Sequence, residues 1–345
     1  MRRILSLMDS DAAPHQGPGG RCAPRTPSET RRLARASLRE EFLALFRSTE
    51  ARSAPDQSTP SRATIMAPPS SEPSVYLHRY LREAVSYPGE KVPSGFTGLD
   101  EHLSGGFGAG LHVVAGRPRV GKSAFLLSVA WESIADKRPV LYYALRENGL
   151  AVWARLASTA SYILGDRVLS LEDIQARSLD ATDRNRLAAV DCSLQTAVLP
   201  YLSLIEAIPA GSDSLSAFVK DICVRAGEAA SRHGRHPLLL VDDLDRLLVL
   251  TRVRPVSHLL AVLDEALIES SLAGLIAATT AGPLALGEQK PEVRTVSTLV
   301  PVAGGESRPI MQVRLDVQHD EQAGWTGSIP LLLDARSRLF SETPV

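Results

Sequence analysis

A short segment combines two glycines with a lysine and a serine at a spacing that suits phosphate chemistry. It satisfies the pattern G-x-x-x-x-G-K-[ST] and consists of Gly116, Arg117, Pro118, Arg119, Val120, Gly121, Lys122 and Ser123. An apolar stretch precedes it and a helical pattern follows it, which is the context that this motif requires. The alternative, a glycine-rich turn that matches by chance, is disfavoured by that context.

The chemistry predicted for this segment is the binding of a nucleoside triphosphate with magnesium. Glycines let backbone N–H groups curl around phosphates at a helix N-terminus, where the helix dipole favours anions. Lys122 is expected to reach the β- and γ-phosphates, and Ser123 to hold Mg²⁺. The predicted ligands are ATP and Mg²⁺, bound by residues 116–123 together with Ala124.

A carboxylate that supports the magnesium should follow a second buried strand. The segment "PLLLVDDLDRLL" provides one, because Asp242 comes directly after an apolar run. An acid at a strand end is also ordinary solvation, but its combination with the phosphate motif favours the magnesium role. Asp243 and Asp245 are the competing carboxylates.

Apolar strands alternate with amphipathic helices over most of the chain, which predicts an α/β fold with a mostly parallel sheet covered on both faces. The expected strands are 110–116, 139–145, 201–208, 237–244 and 273–281, and the expected helices lie in 122–136, 149–164, 181–198, 214–234 and 256–272. A loop to about residue 308 and a closing antiparallel hairpin in 309–340 complete the prediction.

The N-terminal part has a different composition. Residues 1–72 are rich in Arg, Ser, Pro and Ala, and we expect them to be disordered, with one transient amphipathic helix within 28–49. Residues 73–91 form a linker with a predicted helix at 74–86, and the main domain is expected at 92–341. Met66 is an alternative start, and the sequence leaves that choice open.

Composition excludes several classes of protein. The chain has 345 residues, a formal net charge of −1 and three cysteines, without a CxxC pair that would indicate a zinc site. The near-neutral charge provides no global attraction to nucleic acid, and the apolar runs are shorter than the ~20 residues of a membrane span. The expected location is the cytoplasm, and the excess of arginine over lysine suggests a bacterial source.

The motifs and their order resemble those of the ATPase domain of DnaB-like replicative helicases and, more distantly, its KaiC and RadA relatives. The resemblance covers about residues 92–340 and includes "FTGLDEHLSGG", "AGRPRVGKS", "LLLVDDLDRLL" and "GLIAATTA". It implies a RecA-like P-loop NTPase fold and a ring, hexameric in that family. The helix at 74–86 would grip the next subunit.

The resemblance also implies catalytic roles, and some positions depart from the family pattern. In the family the second strand is followed by a glutamate that activates water, whereas this chain has Arg146 there and Glu147 one residue later. Glu147 is the candidate base, Asp242 the magnesium-supporting acid, and Thr280, beside Thr279, replaces the polar residues that sense the γ-phosphate.

Two further departures concern the neighbouring subunit and DNA. The cations at the family's hairpin tip are replaced by Asp320 and Gln322, and Arg314 or Arg336 could substitute for them. The segment 282–309 has balanced charges and no aromatic residue for base stacking, so single-stranded DNA binding is expected to be weak.

Two functions therefore remain open. One is a DnaB-like ATPase that acts on DNA in replication or related metabolism. The other is a KaiC-like regulatory or assembly ATPase without helicase activity. Both predict ATP binding with slow hydrolysis.

Overall fold

The computed structural model describes most of the chain after residue 90. The described ranges are 91–164, 168–208, 214–253, 256–270, 272–280, 293–302, 310–319, 326–334, 336–337 and 339–342. The predicted disordered region 1–72, the linker helix 74–86 and the hairpin-tip residues Asp320 and Gln322 lie outside these ranges, as does most of the segment expected to face DNA.

Nine strands form one sheet in the order β3-β2-β4-β5-β1-β6-β7-β8-β9. Their bounds are β1 Leu111–Gly116, β2 Val140–Tyr143, β3 Leu202–Ile205, β4 Leu238–Val241, β5 Gly274–Thr279, β6 Val293–Pro301, β7 Ile310–His319, β8 Thr326–Asp334 and β9 Phe340–Glu342. The first six strands pair in parallel. The last three continue the sheet in antiparallel order.

Helices cover both faces of the parallel strands. Their bounds are α1 Thr97–His102, α2 Lys122–Ala135, α3 Gly149–Leu164, α4 Leu171–Ala176, α5 Ala181–Ala197, α6 Ser214–His233, α7 Leu244–Thr251 and α8 Val256–Glu269. Alternate strand residues belong to two separate cores, one shared with α2, α3 and α5 and the other with α6, α7 and α8. This two-sided burial explains why the strands are continuous apolar runs.

The sequence correctly predicted the alternation of strands and helices and the closing antiparallel pair, but it was wrong about one strand. The segment expected to be a loop up to about residue 308 contains β6, which pairs with β1. Thr295 and Ser297 occupy buried positions of β6, and His112 Nδ1 lies 2.8 Å from Thr295 Oγ1. The strand therefore lacks the apolar run that would have indicated it. The short helices α1, α4 and α7 were also not predicted.

Among the described residues, none of the helices is both long enough and apolar enough to cross a membrane.

An aromatic cluster joins the beginning of the described domain to its end. Phe125 of α2 is fully buried and stacks on Phe96 with the ring centroids 5.2 Å apart. Its edge contacts Phe340 of β9 at a centroid distance of 6.2 Å. The helix that follows the phosphate motif is thereby fixed against both α1 and the last strand.

Because of this central position, Phe125→Ala should lower the free energy of unfolding by ~3 to 5 kcal/mol, the usual cost of deleting a buried phenyl ring. Phe125→Leu keeps most of the volume and should lose less than ~1.5 kcal/mol. Urea denaturation followed by circular dichroism measures both. An alanine variant as stable as the leucine variant would show that the cluster does not hold the domain together.

Candidate functional site

The phosphate motif connects the carboxyl end of β1 to the first turn of α2. Gly121 has a φ of 106°, and a Cβ on it would lie 2.9 Å from both Leu333 Cδ2 and Phe340 Cζ. A Cβ on Gly116 would lie 2.9 Å from Val120 Cγ1. Since a side chain fits at neither position, both glycines of the motif are required by the packing of the loop as well as by its turn.

The backbone between the glycines is also unusual. Arg119 has a φ of 66°, in the left-handed region that residues other than glycine rarely adopt. Such conformations cost about 1 to 3 kcal/mol and concentrate at ligand-binding loops. The side chains of Arg117, Pro118 and Arg119 are exposed, so the loop turns its side chains outward.

Lys122 is folded back over the loop. Its side chain is buried, and its Nζ donates to Gly116 O at 2.6 Å and to Arg117 O at 3.0 Å. Burial lowers the pKa of the Lys122 ammonium, and the nearby charge of Arg146 lowers it further, whereas Asp243 and Asp245 raise it. The ammonium therefore lies inside the curl of the loop, close to the acids that follow β4 and to a cation that follows β2.

The N-terminus of α2 has no side-chain cap. Its N-cap residue is Gly121, and no side chain accepts a hydrogen bond from the first turn at that position. The first N–H groups of a helix have no partner within the helix and favour an anion. A phosphate fits this site because the unfilled donors, the glycine backbone and Lys122 all converge on it, with Ser123 on the first turn.

Asp242 lies at the end of β4, as the sequence predicted, and connects two strands. It is only 5% exposed, and its Oδ1 accepts from Leu145 N at 2.8 Å. Burial raises the pKa of Asp242 to about 7, against the hydrogen bond from Leu145. Through this bond, the β4 carboxylate holds the backbone of the segment that follows β2.

The two competing acids have different partners. Asp243 caps α7, since its Oδ1 accepts from Arg246 N at 2.8 Å, and its Oδ2 lies 4.0 Å from Arg146 Nη1. Asp245 accepts from Thr280 N at 2.7 Å and from Thr280 Oγ1 at 2.6 Å. The acids that follow β4 thus hold the ends of β2 and β5, the two strands that flank β4 in the sheet.

Thr279 and Thr280, the predicted sensor residues at the end of β5, are therefore held by an acid of α7. Thr279 is buried and donates to Asp245 Oδ1 at 3.1 Å, and Thr280 is exposed. The aspartate in this role was not predicted, although its spacing of three residues from Asp242 places it on the first turn of α7.

Glu147, the predicted base, has an ionic partner that the sequence did not reveal. Its Oε1 accepts from Arg155 Nη2 at 2.6 Å, with side-chain exposures of 27% for Glu147 and 18% for Arg155. Glu147 is eight residues before Arg155, so the first two turns of α3 bring the pair together. One indication of this pair was available in the sequence, because Arg155 falls within α3, the helix that follows the β2 loop.

Of the two arginines considered as substitutes for the hairpin cations, both have described partners. Arg314 donates from Nε and Nη2 to Asp316 at 2.8 and 2.9 Å. The backbone N–H of Arg336 donates to Asp334 Oδ1 at 2.8 Å, within the turn between β8 and β9.

The order β3-β2-β4-β5-β1, with a phosphate loop after β1 and acids after β4, defines a RecA-like P-loop NTPase fold. The sequence profile of the DnaB-like helicase C terminal domain matches residues 91–225. The resemblance inferred from the motifs is therefore confirmed, and so is the fold class. No curated protein matches the chain.

Two solved structures show the same fold. The first is an ATPase domain, which superimposes with a TM-score of 0.58 at 16% identity and covers 80% of this chain and all (100%) of that one. The second is a DnaB-like replicative helicase, described with its interactions with primase. It gives a TM-score of 0.56 at 15% identity and covers 92% of this chain and 79% of that one.

The raised pKa of Asp242 predicts a pH-dependent stability. From its ordinary value of 3.8 up to about 7, the folded protein keeps this proton while the unfolded chain releases it, so stability falls as the pH rises through this window. Asp242→Asn still offers an oxygen to Leu145 N but does not ionise. Its melting temperature should exceed that of the wild type by a margin that grows from about pH 4 to about pH 7 and is constant above.

Thermal unfolding without nucleotide or metal measures this margin. Asp191→Asn, at a partly exposed position of α5, is the control and should show no such trend. A margin for Asp242→Asn that is independent of pH would contradict the assigned pKa.

Proposed function

We propose that this protein binds ATP with Mg²⁺ at the loop between β1 and α2 and hydrolyses it slowly. The observation that supports the proposal most directly is the convergence of the uncapped α2 N-terminus with the Lys122 ammonium, which donates to Gly116 O at 2.6 Å. These donors form a cradle for phosphate, and the RecA-like fold places it at the carboxyl edge of the sheet.

Each residue of the cradle has a proposed role. Backbone N–H groups of residues 116–124 surround the phosphates, and Lys122 exchanges its loop carbonyls for phosphate oxygens. Ser123 provides a hydroxyl ligand for Mg²⁺, and Asp242 provides the accompanying carboxylate. Bound magnesium would neutralise charge on the β- and γ-phosphates. Burial raises the pKa of Asp242 to about 7, so binding of Mg²⁺ would displace the proton that the carboxyl group partly retains at neutral pH.

Slow hydrolysis follows from the segment after β2. Glu147 is the proposed base, but its Oε1 already accepts from Arg155 at 2.6 Å. It must release or share that bond before it can take a proton from water. The position that carries a glutamate in the DnaB-like pattern instead carries the cation of Arg146. Both features favour holding ATP over cleaving it.

Assembly and partners extend this proposal. A ring formed through the helix expected at 74–86, as in the DnaB-like family, would place the site between subunits. The proposed location of the protein is the cytoplasm. Within the described residues, Arg314 pairs with Asp316 and is not a free arginine finger. We therefore favour weak binding of single-stranded DNA over processive unwinding, with nucleotide-controlled assembly or regulation as the second function.

ATP with Mg²⁺ should bind with micromolar affinity, and Lys122→Ala should weaken binding by about 100-fold, since charge-assisted hydrogen bonds contribute ~1.5 to 3 kcal/mol each. Isothermal titration calorimetry measures both constants. Lys220→Ala, which removes an exposed lysine from α6, is the matched control and should bind as the wild type does. Equal affinity in the Lys122 variant would refute the phosphate-loop assignment.

The response to single-stranded DNA separates the two functions. Phosphate release should rise less than ~3-fold on addition of an oligonucleotide, because the segment 282–309 has balanced charges and no aromatic residue for base stacking. The assay is run at several salt concentrations. A large stimulation that falls steeply with salt would instead support a DNA-translocating ATPase.

A further inference from the structure

Arg146 lies in the segment that follows β2, within electrostatic range of Lys122 in the phosphate loop. Its side chain is 52% exposed, and the loop backbone on which it is mounted is fixed from β4. Asp242 Oδ1 accepts from Leu145 N at 2.8 Å, and a second backbone hydrogen bond comes to Asp242 from Arg146 itself. The Cα of Arg146 is thus held rigidly, while its guanidinium can change its position.

The guanidinium lies between two charged groups, the Lys122 ammonium and the Asp243 carboxylate. Its charge lowers the pKa of the Lys122 ammonium inside the phosphate loop, and its Nη1 lies 4.0 Å from Asp243 Oδ2. Lys122 marks where phosphate oxygens would lie. Arg146 is therefore within electrostatic range of that position, at the edge of the sheet where β2 and β4 end.

The contact between Arg146 and Asp243 is weak enough to exchange. A partly exposed ion pair at 4.0 Å is at the outer limit of such contacts, and exposed pairs contribute little to stability. Asp243 does not depend on it, since its other oxygen accepts from Arg246 N at 2.8 Å and caps α7. Arg146 can leave Asp243 without disturbing the helix.

A terminal phosphate is a better partner than the Asp243 carboxylate. It carries more negative charge, and its tetrahedral oxygens accept two parallel N–H bonds from a guanidinium. A diphosphate has no oxygens beyond the β position. A guanidinium that extends from the end of β2 to the γ-phosphate would therefore contact a bound triphosphate and have no such contact with a diphosphate.

We propose that Arg146 recognises the terminal phosphate of a nucleoside triphosphate, exchanging Asp243 for it, and thereby makes this site selective for the triphosphate over the diphosphate. This inference rests on the proposed nucleotide binding. Arg146 occupies the position at which the DnaB-like pattern has a water-activating glutamate. Its guanidinium would therefore report that ATP is bound and would not assist the cleavage of ATP. The exchange also releases Asp243, which links the nucleotide state to the β4 and α7 acids.

The test compares the affinities for a non-hydrolysable ATP analogue and for ADP, each with Mg²⁺, by calorimetry on the full chain. Arg146→Ala should weaken the analogue by about 10-fold or more and leave ADP within about 2-fold. Arg184→Ala, which removes an exposed arginine from α5, should change neither constant. Thermal melts verify that each variant is folded.

Asp243→Asn provides an independent arm, since asparagine still caps a helix. Removing the competing charge should raise the preference for the analogue over ADP by about 3-fold or more. In the Arg146→Ala, Asp243→Asn double variant this gain should disappear, because the cycle isolates the coupling between the two side chains.

The outcomes are distinct. A selective loss for the triphosphate in Arg146→Ala, with coupling to Asp243, supports the proposal. Equal changes for both nucleotides, or no change, overturn it while nucleotide binding stands. Absence of binding by the wild type overturns the proposed function and this inference together.

Discussion

The buried carboxylate of Asp242 is the interaction on which the site depends. It is the point where β4 ends, and its bond to Leu145 N at 2.8 Å fixes the segment that follows β2. The two residues after Leu145 are Arg146 and Glu147, which carry the charges proposed to recognise the γ-phosphate and to activate water. Burial makes this anchor costly as an anion, so its pKa lies at about 7, near the pH at which ligand binding would use the charge.

The neighbouring acids Asp243 and Asp245 also hold adjacent segments through hydrogen bonds and an ion pair. Asp243 caps α7 and faces Arg146, and Asp245 holds the end of β5 through Thr280. The three carboxylates thus attach the ends of neighbouring parallel strands to one another. All three acids share one edge of the sheet with the phosphate loop.

Holding a nucleotide and cleaving it place different demands on this geometry. In the proposed site the glycines and Lys122 would surround the phosphates, and Cβ contacts of 2.9 Å leave no room for other residues at Gly116 and Gly121. The groups that would activate water are compromised, since Glu147 is bound to Arg155 and Arg146 occupies the adjacent position. Both features favour the proposed recognition of a nucleotide over its hydrolysis.

The sequence by itself determined the α/β alternation, the phosphate-loop motif after β1 and the acid after β4, because these depend on local spacing and on continuous apolar strands. It did not reveal β6, whose buried Thr295 and Ser297 give no apolar run. Only the tertiary structure decided which partner each charge has. The pairs Glu147–Arg155 and Arg146–Asp243 form between different elements. No periodicity along a chain specifies such contacts, because they depend on which strand ends meet at the edge of the sheet.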